Sequence, residues 1–348
     1  MKATGNARLA LLLLIQFTYW AHCAPVKDGF GDQNSLQKRF NTTAPLPVEV
    51  VHDFPTGTWI ENLAIRGNGQ IIATDNSEPN IYLLDPFRGG ATVLLATLND
   101  TGSLLGIVEA QPDIFYICSA NYSSPKLQGY GDNNIYRLDM TEFNPREPSS
   151  AKVVKITSLP DAIALDGLTY IPQSNLLLTS DFLAGIVWSI NPHTGEIAVP
   201  INNTYTRSPG AFGVNGIHVK GNDTLYFTNS GQGTVARVQI NAQGEAVGNY
   251  TFLTSTLPNP DDFAVDEGGD AYVASFTEDD DGIVFVPREG APYSLLVSVA
   301  GPTACAFGRT ERDKQVLYVS TSGGDYAPSP RTVSGKIVKI DVERVARR

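Results

Sequence analysis

Six short apolar stretches in the chain carry the side chains best suited to chemistry. They are ENLAIRG (61–67), LLGIVEA (104–110), LDGLTYI (165–171), VNGIHVK (214–220), DDFAVDE (261–267) and TACAFGR (303–309). Their leading residues are Glu61 and Asn62, Gly106, Asp166, Asn215, Asp261 and Asp262, then Thr303 and Cys305, with Trp59 just ahead of the first. Carboxylates and amides are hard oxygen donors, suited to a divalent cation such as Ca2+ or to polarising a substrate through hydrogen bonds. The competing reading is that they bond neighbouring loops and trapped water, which buried polar groups require in any protein. Other chemistry is thinly represented. The four histidines, His22, His52, His193 and His218, show no metal-ligand spacing. There is no Gly-x-Ser-x-Gly elbow and no phosphate-cradling glycine loop. GQGTVA (231–236) reads as a hairpin turn, and TEDDDG (277–282) as a solvated tip in preference to an acidic Ca2+ loop.

The elements that must position these residues are repeats. After each stretch comes an apolar strand, a small polar turn and a second strand: 71–86, 114–140, 176–192, 225–240, 271–287 and 317–342. These segments alternate apolar and polar residues and are rich in Val, Ile, Thr and Tyr, the pattern of half-buried strands. Units of 40–50 residues with at least three strands each describe propeller blades. The fold expected is all-β, a six-bladed β-propeller with a central channel. The stretch VEVVHDF (48–54) is expected beside residues 335–342, closing the ring with strands from both termini. The first strand of each blade lines the channel, so the six stretches converge on one mouth. Trp59, Tyr130, Phe212, Phe263, Thr303 and Cys305 are the candidate substrate-binding residues there. Glu61, Asn62, Asp166, Asn215 and Asp262 are the candidate polar, catalytic contacts.

Composition narrows the partners. With 348 residues, 42% hydrophobic and 18% charged, the chain can bury a large core, and its net charge of −11 argues against nucleic acid. Three cysteines cannot staple a fold of this size, and Cys118 and Cys305 are expected as buried free thiols. Residues 1–24 have a basic start at Lys2 and Arg8 and an apolar run from Leu9 to Trp20, which is a signal peptide in form and too short to span a membrane. Residues 25–39 are a polar linker ending in Lys38-Arg39, a candidate processing site, and residues 40–348 form the single propeller domain. Sequons at Asn41, Asn99, Asn121, Asn202, Asn222 and Asn249 fit a secreted glycoprotein with small-molecule substrates and no membrane span.

Two of the blades, VNGIHVKGNDTLYFTNS (214–230) and NPDDFAVDEGGDAYVASF (259–276), resemble those of senescence-marker-protein/gluconolactonase-like propellers. That resemblance implies metal ligands at Glu61, Asn215 and Asp261, and a divalent-metal-dependent lactonase. The sequence departs from the family pattern where Pro260-Asp261-Asp262 replaces Pro-Asp-Gly and Asn62-Leu63 follows the first Glu. The stretches WIENLAIR, LDGLTY, VNGI, PDDFAVD and GPTACAFGR are similar to a fungal secreted branch of this superfamily. It contains hetero-Diels–Alderases of tropolone sesquiterpenoid (meroterpenoid) biosynthesis, which join a quinone-methide-type heterodiene to a humulene-like alkene. The resemblance therefore implies a secondary-metabolite pericyclase that requires no cofactor. A metal-dependent lactonase using Ca2+ or another divalent cation is the alternative, and a non-catalytic binding propeller the second alternative.

Overall fold

The computed structural model describes residues 46–123, 128–129, 133–210, 212–276, 281–290, 292–324 and 332–342. Among the described residues, strand β1 (Val48–Thr56) comes first. Blade one is β2 (Ile60–Ile65), β3 (Ile71–Asp75), β4 (Asn80–Asp85) and β5 (Ala91–Thr97). Blade two begins with β6 (Ser103–Gln111) and β7 (Ile114–Ala120), followed by a small hairpin, β8 (Tyr122–Ser123) and β9 (Gln128–Gly129). It is completed by β10 (Asn133–Asp139) and β11 (Lys152–Leu159). Blade three is β12 (Leu165–Ile171), β13 (Leu176–Asp181), β14 (Ile186–Ile190) and β15 (Ile197–Ile201). Blade four is β16 (Val214–Lys220), β17 (Thr224–Asn229), β18 (Thr234–Gln239) and β19 (Thr251–Thr254). Blade five is β20 (Pro260–Val265), β21 (Ala271–Ser275), β22 (Gly282–Val286) and β23 (Ser294–Ser298). Blade six is β24 (Pro302–Phe307), β25 (Val316–Thr321) and β26 (Ser334–Asp341), with β1 as its fourth strand.

The fold is the six-bladed propeller that the repeats require. The six innermost strands, β2, β6, β12, β16, β20 and β24, each pack against the next around the ring. Closure is by β1 on β26, with Val48 opposite Ile340 and Val50 opposite Val338. The first described strand thereby completes the last blade.

The apolar residues form six clusters among the described residues, and every cluster joins two neighbouring blades. Phe115, Ile117 and Leu138 of blade two, for example, meet Ile72, Ile81 and Leu83 of blade one. A strand buried on both faces needs apolar side chains on both, which is why β3, β7 and β21 read as continuous buried runs. Among the described residues, no blade carries a complete core without its neighbours.

Each innermost strand is interrupted near its start. In blades two to five, two residues of the inner strand oppose one of the second strand: Leu105-Gly106, Asp166-Gly167, Asn215-Gly216 and Asp261-Asp262. Blades one and six slip by a single residue, at Glu61 and at Thr303. These are β-bulges, which bend a strand and re-aim its side chains. The second-strand residue facing the bulge ties it to the next blade. Thr74 donates to the carbonyl of Leu105 (2.6 Å), Cys118 to Asp166 (2.8 Å), Ser180 to Asn215, Thr228 to Asp261 (2.7 Å) and Ser320 to Glu61 (3.2 Å). The hydroxyls of Ser180 and Thr228 also accept the N–H of Gly167 and Gly216, at 2.8 and 2.9 Å. Each inner strand is packed so closely on the next bulge that a Cβ at Gly106 would stand 2.4 Å from the Asp166 carbonyl, and one at Gly167 2.6 Å from that of Asn215.

Because closure rests on β26, which pairs with both β25 and β1, a chain ended after residue 330 is expected to lose the whole fold. Circular dichroism and calorimetry should show no cooperative transition. A truncated chain that melts like the full one would show that the ring does not depend on this closure.

Candidate functional site

The bulges gather the candidate polar residues at one mouth of the channel. Glu61, Asn62, Asp166, Asn215, Asp261 and Asp262 are all less than a tenth exposed. Asp262 is the best-connected of them. Its Oδ2 accepts from Asn62 Nδ2 of blade one at 2.7 Å. Its Oδ1 lies 2.7 Å from His218 Nε2 on blade four and accepts the Phe263 N–H at 2.7 Å. One carboxylate thus joins blades one, four and five. Glu61 accepts from Asn76 Nδ2 at 3.1 Å.

The charge at this mouth is concentrated and poorly solvated. Burial pushes the Asp166 carboxyl well above the usual carboxylate range, and the negative charges of Glu61 and Asp262 push it further. Asp261 is raised in the same way, by burial first, then by Glu61, Asp166 and Asp262, while the Asn215 hydrogen bond opposes the shift. These are the two ordinary causes of a raised carboxyl pKa, desolvation and like charge.

The donor set fits a divalent cation. Asn215 Oδ1 is buried with no hydrogen-bond partner, and it sits beside carboxylates that repel one another. A hard cation would satisfy the oxygen and relieve the repulsion. Among the described residues, no three His, Cys, Asp or Glu side chains are grouped to hold a metal. A cation held by Glu61, Asn215 and Asp261 would therefore draw on the amide oxygen as one of its ligands.

The candidate wall residues fare differently. Trp59 is half-buried, its backbone N–H donating to Ser77 Oγ at 3.1 Å and its backbone carbonyl accepting the Asn76 N–H at 2.8 Å. Phe212 is half-buried and stacks on Phe182 with centroids 5.6 Å apart. Phe263 has no exposed surface. It packs between blades four and five, edge-on to the His218 ring at 4.7 Å. Thr303 is fully buried and donates to the Ile60 carbonyl at 2.8 Å, tying blade six to blade one. Cys305 lies between blades five and six, its thiol donating to the Tyr272 carbonyl at 3.1 Å. All three are buried, Phe263 and Cys305 within the apolar clusters between neighbouring blades. Tyr130 lies outside the described residues. Cys118 and Cys305 are free, and burial pushes both thiols upward, so neither is poised as a nucleophile.

Sequence reasoning missed His218, Asn76 and Phe182. His218 lies three residues after Asn215 on the same strand, a polar interruption in VNGIHV that could have marked it. Asn76 and Phe182 follow the ends of second strands, and their contacts with Glu61 and Phe212 come only from the folded geometry.

Fold and site together define a six-bladed β-propeller with buried carboxylates and amides gathered at the starts of its inner strands. Residues 209–323 match the family described as the SMP-30/Gluconolactonase/LRE-like region. Over most of its length the chain is similar to two proteins that bear a hetero-Diels-Alderase name. One, from Phoma sp, is 28% identical over 315 residues, covering 80% of this chain and 88% of the relative. The other, from Sarocladium schorii, is 27% identical over 358 residues, covering 90% of this chain and 87% of the relative. The solved structure of the calcium-binding protein regucalcin from Agrobacterium tumefaciens strain C58 superposes with a TM-score of 0.59 at 15% identity, covering 85% of this chain and 95% of that one. At that identity the likeness is one of fold. The fungal hetero-Diels-Alderase resemblance drawn from the blade openings is thus matched along the chain.

The raised Asp166 carboxyl carries a pH prediction. Its folded pKa lies above the unfolded value of 3.8. The native state therefore holds its proton more tightly, and stability falls as pH rises from about 4 through the raised pKa. Asp166→Asn removes that penalty. In chelator-containing buffer its melting temperature should exceed that of the wild type at pH 8, with the gap closing toward pH 4. Equal pH slopes for the two proteins would show that Asp166 is not the strained carboxyl.

Proposed function

We propose that the protein is a biosynthetic pericyclase that performs a hetero-Diels–Alder cycloaddition at the channel mouth. The substrates proposed are a tropolone-like quinone-methide heterodiene and a humulene-like terpene alkene. The similarity to two hetero-Diels-Alderase-named relatives over most of the chain is the observation that supports this reading. Such a reaction needs no nucleophile, because both new bonds come from the reactants' own π electrons. The protein's task is to hold the two partners in reactive geometry, and orientation alone can supply several kcal/mol.

The residues divide the work by chemistry. Trp59 and the Phe212–Phe182 stack offer apolar surface for the alkene. Asn62, Asp166, Asn215 and the His218–Asp262 pair offer fixed dipoles and acceptors for the polar heterodiene. Because Asp262 is held from three sides, this polar edge is set before substrate arrives.

The unpartnered Asn215 Oδ1 favours a second reading, a divalent-metal-dependent lactonase. There Glu61, Asn215 and Asp261 would hold the cation. When bound, the cation would polarise a lactone carbonyl and acidify a water.

Incubation of the purified protein with a heterodiene precursor and humulene, beside a lactone panel with and without chelator, separates the two. The pericyclase should enrich one cycloadduct over the uncatalysed mixture and be indifferent to chelator. Trp59→Ala should lower turnover or erode stereoselectivity while melting normally. Glu61→Gln should retain much of the activity, since it keeps size and an acceptor oxygen. Phe263→Ala serves as the packing control and should cost about 3–5 kcal/mol of stability. Chelator-sensitive lactone hydrolysis, lost in Glu61→Gln and restored by excess Ca2+, would establish the hydrolase instead.

A further inference from the structure

The outermost strand of every blade presents an unpaired edge, a template for pairing with another chain unless it is guarded. Two of the six outer strands carry charged guards: β1 has Glu49 and Asp53, and β11 has Lys152 and Lys155. A third, β23, has no charge, but its apolar side chains are buried or half-buried. The remaining three, β5 (ATVLLAT), β15 (IAVPI) and β19 (TFLT), contain no charged residue. Each of these exposes a large apolar side chain: Leu94 at 48%, Val199 at 39% and Phe252 at 37%. Blade four adds Tyr205, whose ring lies 4.4 Å from Tyr250 and 5.6 Å from Phe252, and Val247 at 62% exposure.

These same three uncharged strands each have a sequon at one end, and β15 adds only Pro200 as an edge-blunting residue. Asn99 follows β5, Asn202 follows Ile201 at the end of β15, and Asn249 precedes Thr251 at the start of β19. All three asparagines are exposed. The charged outer strands β1 and β11 and the covered β23 have no sequon so close, while Asn222 sits in the β16–β17 hairpin and Asn121 follows β7.

We propose that N-linked glycans on Asn99, Asn202 and Asn249 guard the uncharged outer edges of blades one, three and four, taking the place of charged residues. On blade four the glycan on Asn249 lies over the Tyr205–Tyr250–Phe252 rings. A glycan is bulky and strongly hydrated, so beside an edge strand it blocks approach of a second strand while leaving the blade's own pairing intact. The proposal requires passage through the secretory pathway, the reading given to residues 1–24, and is independent of the reaction performed in the channel.

The test is secretion of the full chain, with its own leader, from a glycosylating fungal host. Glycopeptide mass spectrometry should find all three sites occupied on most molecules. Enzymatic removal of the glycans from the native protein should convert at least half of it to oligomers by light scattering, under conditions where the glycosylated form stays monomeric. The triple variant Asn99→Gln, Asn202→Gln, Asn249→Gln should behave likewise, and Asn222→Gln should not. Adding Leu94→Lys, Val199→Lys and Phe252→Lys to the triple variant should restore the monomer, because a charge on the strand replaces the missing guard. Empty sites in the secreted protein, or a deglycosylated protein as monomeric as the glycosylated one, would overturn the proposal.

Discussion

The structure depends on the seam where the start of one inner strand meets the start of the next. At that seam a bulge opens the inner strand, and a short polar side chain on the second strand bonds the carbonyl of the following blade's bulge. Thr74, Cys118, Ser180, Thr228 and Ser320 perform this task in five blades. Blade five has Ala274 at the corresponding place, opposite Asp261 and Asp262. A single such bond contributes about 0.5–1.5 kcal/mol net. Its larger effect is geometric, since it sets where the next bulge lies and hence where the next site residue points.

The seam also accounts for the distribution of glycine and charge at the mouth. Gly106, Gly167 and Gly216 occupy the bulge position where a side chain would strike the next blade. Asn62 and Asp262 are found where their side chains can bond each other. Glu61, Asp166 and Asp261 are held buried with their charges in mutual reach, an arrangement that costs stability and persists only because the ring enforces it. Under the proposed function, this cluster of raised carboxyls is the polar part of the site.

Packing follows the same logic of dependence on neighbours. Every apolar cluster lies between two blades, so removing a large side chain such as Phe263 weakens a contact between blades four and five. Blade six lacks a fourth strand of its own until β1 arrives from the beginning of the domain. The propeller is therefore cooperative around its ring, while its outer edges remain individually exposed to solvent.

The sequence by itself determined the architecture. Strand-like alternation, the repeat length, the convergence of Glu61, Asn62, Asp166, Asn215, Asp261 and Asp262, and the pairing of residues 48–54 with the last strand all follow from local pattern, because blades repeat one local rule. What only the tertiary structure decided is which side each residue faces. A bulge changes the alternation by one residue, so counting along the strand cannot tell that Phe263 and Cys305 lie within the apolar clusters between blades. Nor can it show that His218 meets Asp262 from the neighbouring blade, or that Asn76 reaches Glu61 from a second strand. Those contacts depend on the angle between blades, and that angle is set by packing across the seam, between residues far apart in the chain.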